Sequence, residues 1–215
     1  HQSRLLIQAQ KLSLGYSHPL FAGVNLHLPV GSHLELRGRN GVGKTTLIKE
    51  VLAQARGEEA PAKLYAGEIQ IDKKAVIGLY EQEVGDEYQD LPLGAATLRF
   101  HEQAGKPVNE SRVRSLLSQY LFDPEAYKLP LSRLSGGEKA RFQLIKMLVA
   151  SPNLLILDEP TNHLDLPSIE ELETALERYE GAILYVSHDS YFSRTMGGEV
   201  VQIESVSSET VNSVV

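Results

Sequence analysis

The chain has 215 residues, 21 Lys and Arg against 28 Asp and Glu for a net charge of −7, and no Cys. That length suits one large α/β domain rather than two, and the absence of Cys excludes a disulfide frame or thiol chemistry. No apolar run is long enough to span a bilayer, and the acidic balance argues against nucleic-acid binding through this surface. Because it opens on His1 rather than Met, the chain reads as a domain of a longer protein.

Residues 4 to 9 and 24 to 29 alternate like short strands, and Pro29 to Ser32 reads as a turn. Residues 33 to 37 form a strand that runs straight into a glycine-rich loop. From Lys44 the apolar positions Leu47, Ile48, Val51, Leu52 and Ala55 recur at helical intervals, with Gly57 as C-cap. Two strands are expected at 67 to 72 and 75 to 80, followed by a more polar, helical stretch over 83 to 133. There Asn109 should cap a helix that carries Val113, Leu116, Leu117 and Leu121 on its apolar side.

Residues 138 to 150 are apolar on nearly every face, as in a buried helix. The basic residues nearby, Arg133, Lys139, Arg141 and Lys146, read as a solvated face. Residues 154 to 157 are an unbroken apolar strand of the kind buried inside parallel sheets. A helix with Ile169, Leu172, Leu176 and Tyr179 on one stripe follows, then a buried strand at 182 to 186 and a polar tail expected to fray from Ser205. Strands alternating with helices predict a wound α/β core.

Gly38-Arg39-Asn40-Gly41-Val42-Gly43-Lys44-Thr45 matches the phosphate-loop pattern in its required setting, after a strand and opening a helix. Its backbone N–H groups can turn around phosphate oxygens, where a helix N-terminus favours negative charge. Lys44 is expected to bridge the β- and γ-phosphates, and the Thr45 hydroxyl to ligate Mg²⁺; Thr46 continues the loop into the helix. Asp158 ends an apolar strand, where an acid has no structural use unless it faces a charge, and Mg²⁺ held at Thr45 supplies one. By strand alternation Glu159 points the other way, free to orient or deprotonate a water. His188 ends the next apolar strand and is placed to contact the γ-phosphate. A His satisfied by local backbone is its alternative. The other six histidines show no metal-ligand spacing.

Taken in order, Gly38 to Thr45, Gln82, Leu134 to Arg141, Leu154 to Glu159, Asp165 and His188 resemble the motif series of an ATP-binding cassette (ABC) domain over nearly the whole chain. The resemblance implies a RecA-like parallel-sheet core over 1–82 and 134–204, with an N-terminal antiparallel part, a helical subdomain over roughly 83–133, and a tail over 205–215. It also implies a second cassette facing this one head to tail with ATP between them. Ser135, Gly136 and Gly137 would then cap a helix start aimed at the partner's γ-phosphate, and Asp165 would lie in the loop crossing between sites. Gln82 resembles the residue that reaches Mg²⁺ and senses the γ-phosphate; an exposed strand-end Gln is its alternative. Tyr16 is placed like the aromatic that stacks on adenine.

Glu159-Pro160-Thr161-Asn162-His163-Leu164-Asp165, together with Glu138-Lys139-Ala140-Arg141 and Tyr191-Phe192, is similar to the ABC-F group. Members of that group are soluble, carry two cassettes in one chain, act mainly on ribosomes and in some cases protect them from antibiotics. Ser190 departs from the group, which usually has Arg there, and the short span from Gln82 to Leu134 suggests that this is a second, C-terminal cassette or an armless type. The resemblance therefore implies a cytoplasmic, Mg-dependent ATPase without membrane insertion, meeting the ribosome through regions outside these residues. The motor subunit of a membrane transporter and a nucleotide-gated binding module are the alternatives.

Overall fold

The computed structural model describes residues 4–81 and 83–206. In chain order they form β1 (Leu5–Gly15), β2 (Val24–Pro29), β3 (His33–Arg37), α1 (Lys44–Arg56), β4 (Lys63–Ile71), β5 (Ile77–Tyr80), α2 (Leu93–Gln103) and α3 (Glu110–Gln119). Then come α4 (Gly136–Leu148), β6 (Leu154–Asp158), α5 (Leu166–Glu177), β7 (Ala182–Val186), α6 (Ser190–Met196) and β8 (Glu199–Gln202). The described residues sort into two compact units. The first draws on His1–Ile77, Asn153–Glu159 and Gly181–Val215, the second on Gly78–Pro152 and Pro160–Glu180.

The first unit holds two sheets. An antiparallel one has the order β2-β1-β4, and the strands β6-β7-β3-β8 run in parallel. Strand β1 is longer than the alternation over 4 to 9 suggested. The pairing slips between Gln10 and Ser13, where Lys11 takes φ 45°, so the period of two breaks although the strand continues. Strands β6 and β7 are the apolar runs at 154 and 182, and burial of nearly every side chain explains why they do not alternate. Each Leu or Ile buried there stabilises the unit by about 1.5–3 kcal/mol. The register pairs Asp158 with Val186 and Glu35 with Tyr185, so the carboxyl ends of β3, β6 and β7 are nearly level. The loops leaving those ends carry Gly38, Glu159 and His188. Helix α6 and strand β8 were not foreseen; seven and four residues are too few to show a period. The tail begins with a bridge between Ser205 and Phe21, and residues 207–215 lie outside the described residues.

The second unit packs α2, α3 and α4 around a buried cluster that includes Leu93, Val113, Leu117, Phe122, Leu131 and Phe142. Asn109 caps α3 by accepting the Arg112 N–H at 2.8 Å. Leu121 is not on the apolar stripe. Helix α3 stops at Gln119, Leu121 turns into the left-handed region at φ 62°, and its side chain is 70% exposed. The Phe122 N–H closes onto the Leu117 carbonyl at 3.0 Å, and Phe122 takes the buried place instead. Nor is Arg141 part of a solvated face. It pairs with Glu171 at 3.0 Å, donates to the Tyr120 carbonyl at 2.8 Å and lies over the Phe122 ring, tying α4 to α5 and to the end of α3. Lys146 pairs with Glu81 at 2.7 Å, whereas Arg133 and Lys139 are exposed as read.

Candidate functional site

The phosphate-loop residues sit between the end of β3 and the start of α1. Gly43 caps α1 at φ 112°, and neither a capping side chain nor an acid occupies the first turn. That start therefore has no side-chain cap on its N–H groups and no acid of its own first turn against its partial positive charge. Lys44 is 7% exposed and folds over the loop, donating to the Gly38 carbonyl and, at 3.4 Å, to that of Arg39. A cation held in this way projects into the loop rather than into solvent. Gly41 takes φ 78° with open space on its missing-Cβ side, while a Cβ on Gly43 would meet the Phe21 ring at 2.8 Å.

Thr45 is exposed, and its Oγ1 donates to Asp158 Oδ2 at 3.4 Å, joining the loop to the end of β6. These two hard oxygens suit Mg²⁺, which is held through one or two protein oxygens, substrate phosphates and several waters. Among the described residues no group of three or more His, Cys, Asp or Glu could cage a metal, so a metal here would have to complete its shell from substrate and water.

Strand β6 ends at Asp158, and Glu159 takes φ 51°. A left-handed turn, not the pleat, thus directs the Glu159 side chain, at a strain of about 1–2 kcal/mol for a residue with a Cβ. Two contacts hold the turn. The Glu159 N–H donates to the Val186 carbonyl at 2.9 Å, and Glu159 Oε2 accepts the His188 N–H at 3.1 Å. His188 Nε2 lies 2.8 Å from Asn40 Oδ1 and 3.0 Å from Glu159 Oε1. Both neighbours are acceptors, so Nε2 carries the proton, and the imidazole bridges the phosphate loop to Glu159. Asn40 appeared in the sequence only as a loop position; nothing in a pattern signals a partner 148 residues away.

Tyr16 closes this region on the β1 side. Its ring is 52% exposed, its hydroxyl lies 3.3 Å from Thr46 Oγ1, and the Tyr65 hydroxyl donates to its carbonyl at 2.8 Å. Tyr16, Gly38 to Thr46, Asp158, Glu159 and His188 all belong to the first unit. Gln82 lies outside the described residues.

Ser135, Gly136, Gly137 and Asp165 belong to the second unit. Ser135 and Glu138 form a reciprocal capping box at the start of α4, with distances of 3.2 and 2.9 Å. Gly136 is exposed with nothing near its Cβ position, while a Cβ on Gly137 would press on Ser168 Oγ at 2.7 Å. Asp165 is the N-cap of α5. It accepts the Ser168 N–H at 3.0 Å and the Ser168 hydroxyl, and these bonds lower its carboxyl pKa. One serine thus links the glycine pair to Asp165.

A family model described as "ABC transporter" matches residues 21–162. The chain belongs to the ATP-binding cassette family. It is 37% identical over 201 residues to the probable ATP-binding protein YbiT of Escherichia coli O157:H7, covering 93% of this chain and 36% of that protein. It is 34% identical over 202 residues to ABC transporter F family member 5 of Arabidopsis thaliana, covering 94% of this chain and 28% of that one. The cassette thus spans about a third of the length of these curated relatives. Among solved structures, the ATP-binding cassette MJ0796 in a dimeric post-hydrolysis state with ADP and Pi shares the fold. Its TM-score is 0.67 at 18% identity over 92% of this chain and 94% of that one. A nucleotide-free cassette from an ABC transporter gives 0.70 at 15% identity over 93% and 88%. The α/β architecture, with a parallel core, an antiparallel sheet and helices, is that of the ABC ATPases. No described helix is long and apolar enough to cross a membrane.

Proposed function

We propose that this cassette binds and hydrolyses Mg-ATP, pairs with a second cassette, and serves a soluble ABC-F protein in which ATP-driven closure regulates ribosome binding. The observation that carries the reading is the joint placement of Lys44, Thr45, Asp158, Glu159, Asn40 and His188 at the ends of β3, β6 and β7. Lys44 and the uncapped start of α1 hold the β- and γ-phosphates, and the Tyr16 ring offers a face for adenine. Thr45 and Asp158, with Gln82, would hold Mg²⁺, which when bound neutralises charge on the phosphate oxygens.

Glu159 accepts a proton from the attacking water as its oxygen bonds to the γ-phosphorus and the bond to the β-phosphate oxygen breaks. The Nε2–H of His188, held here between Asn40 and Glu159, donates a hydrogen bond to a γ-phosphate oxygen and fixes the water line while keeping its proton. Ser135 to Gly137 and Asp165 would complete the partner's site, so the lone cassette hydrolyses slowly. The F-family relatives support the branch, and the ribosome is the partner this reading expects. Sedimentation velocity of a Glu159→Gln variant tests the pairing. ATP should drive it to a two-cassette species that ADP does not; a sedimentation coefficient indifferent to ATP would overturn the reading.

A further inference from the structure

His188 needs to be held to within a fraction of an ångström, yet it is exposed and lies two residues before α6. A seven-residue helix does not fix its own position, because so short a helix is stable only through what it packs against. Asp189 caps it, accepting the Tyr191 and Phe192 N–H groups at 2.9 and 3.0 Å. Phe192 is fully buried and gives it an apolar anchor.

A set of buried polar atoms does the rest. Glu35, in the middle of β3, is 1% exposed. One carboxylate oxygen accepts the Ser193 hydroxyl of α6 at 2.7 Å, and the other accepts the half-exposed Arg37 guanidinium at 2.6 Å. Tyr185, on the neighbouring strand β7, is also 1% exposed. Its hydroxyl reaches the carbonyls of Ser193 at 3.2 Å and Gly197 at 2.8 Å, at the end of the same helix. Burial, with the Glu35 charge adding to it, pushes the Tyr185 hydroxyl pKa up, so it stays a donor at any working pH.

A carboxylate buried in a strand between Leu34 and Leu36 is costly, and an apolar residue would serve the sheet at least as well. What Glu35 adds is a directional link to α6. The space beside the link is open. A cavity of about 460 Å³ is lined by Glu35, Arg37, Tyr185, Ser187, His188 and Ser193, among others. No packed core therefore fills the side on which His188 borders this cavity, so beside its contacts with Glu159 and Asn40 its position depends on the anchoring of α6.

We infer that Glu35, Tyr185 and Ser193 are positioning residues that hold His188 in line by fastening α6 to β3 and β7. The inference rests on the role given to His188 above. Its test uses steady-state ATP hydrolysis by the full natural chain, alongside the imidazole NMR signals of His188. Ser193→Ala and Tyr185→Phe keep the shape of the site and should each lower kcat about 10-fold, with KM for ATP within about twofold. Ser193→Thr, which keeps the hydroxyl, should restore turnover. Ser193→Ala added to His188→Ala should lower kcat no further, since both act through one group. In both clamp variants the His188 signals should move.

Normal kcat in Ser193→Ala and Tyr185→Phe beside a crippled His188→Ala would overturn the inference. So would fully additive losses, or His188 signals that stay in place. Full turnover in His188→Ala would instead sink the catalytic reading, and the imidazole signals would still decide whether the clamp places this side chain.

Discussion

Gly43→Ala tests how firmly the phosphate loop is seated. Gly43 sits at φ 112°, and a Cβ there would stand 2.8 and 3.0 Å from two carbons of the Phe21 ring and 3.3 Å from Leu20 Cβ. Backbone strain at such an angle costs about 1–3 kcal/mol. Phe21 is fully buried, so its ring cannot swing aside, and overpacking of that kind adds about 1–3 kcal/mol. Gly41→Ala is the control. Gly41 is at φ 78° with nothing within 4 Å of its Cβ position, so it carries the backbone strain alone, again about 1–3 kcal/mol, and that contribution cancels in the comparison. The two variants should therefore differ by about 1–3 kcal/mol. With a urea slope of about 2 kcal/mol per molar, that separates their midpoints by roughly 0.5–1.5 M. Urea unfolding followed by circular dichroism reads the difference directly. Coincident midpoints for Gly41→Ala and Gly43→Ala would refute the claim that Phe21 forms a rigid wall behind the loop.

Other expectations follow from the same geometry. Glu159→Gln keeps an acceptor for the His188 N–H, so it should retain ATP binding while hydrolysis falls about 10²–10⁴-fold; near-normal phosphate release would remove Glu159 from its role. Lys44→Ala should weaken ATP binding itself, which equilibrium titration measures. Turnover per cassette of the isolated domain should rise with its concentration, and a rate strictly linear in protein across the dimerisation range would contradict pairing. Leu121→Gly should stabilise the chain by about 0.5–1 kcal/mol in urea unfolding, because it relieves a left-handed Leu at φ 62° that buries little. Asp72, bonded to Arg4 and accepting the Lys74 N–H, has its pKa lowered from 3.8 to about 2. Its contribution to stability is therefore present above pH 4 and lost as pH falls toward about 2. Asp72→Asn lacks that contribution at neutral pH, so its stability curve should converge with the wild-type curve on acidification.

The phosphate loop and the acidic strand end were legible because their chemistry depends on local spacing. Gly38 to Thr45 run from the end of β3 into the start of α1, and Leu154 to Glu159 are β6 and the residue after it. The buried strands were legible because parallel pairing buries both faces. What escaped was set by single backbone turns or by distant partners. The left-handed residues Lys11 and Leu121 break a strand period and a helix stripe without any glycine to announce them. Glu159 reaches its place by the same kind of turn, where alternation had supplied a different reason. Arg141 looked solvated because its partners, Tyr120 and Glu171, belong to other helices or their ends. Glu35 looked like an ordinary strand residue, since Ser193 stands 158 positions away.

The most direct test of the functional account is co-sedimentation of the full-length protein carrying Glu159→Gln, with and without ATP, against ribosomes and against membranes. The account predicts pelleting with ribosomes only when ATP is present. Pelleting with membranes, and not with ribosomes, would contradict it and make this cassette the motor of a transporter.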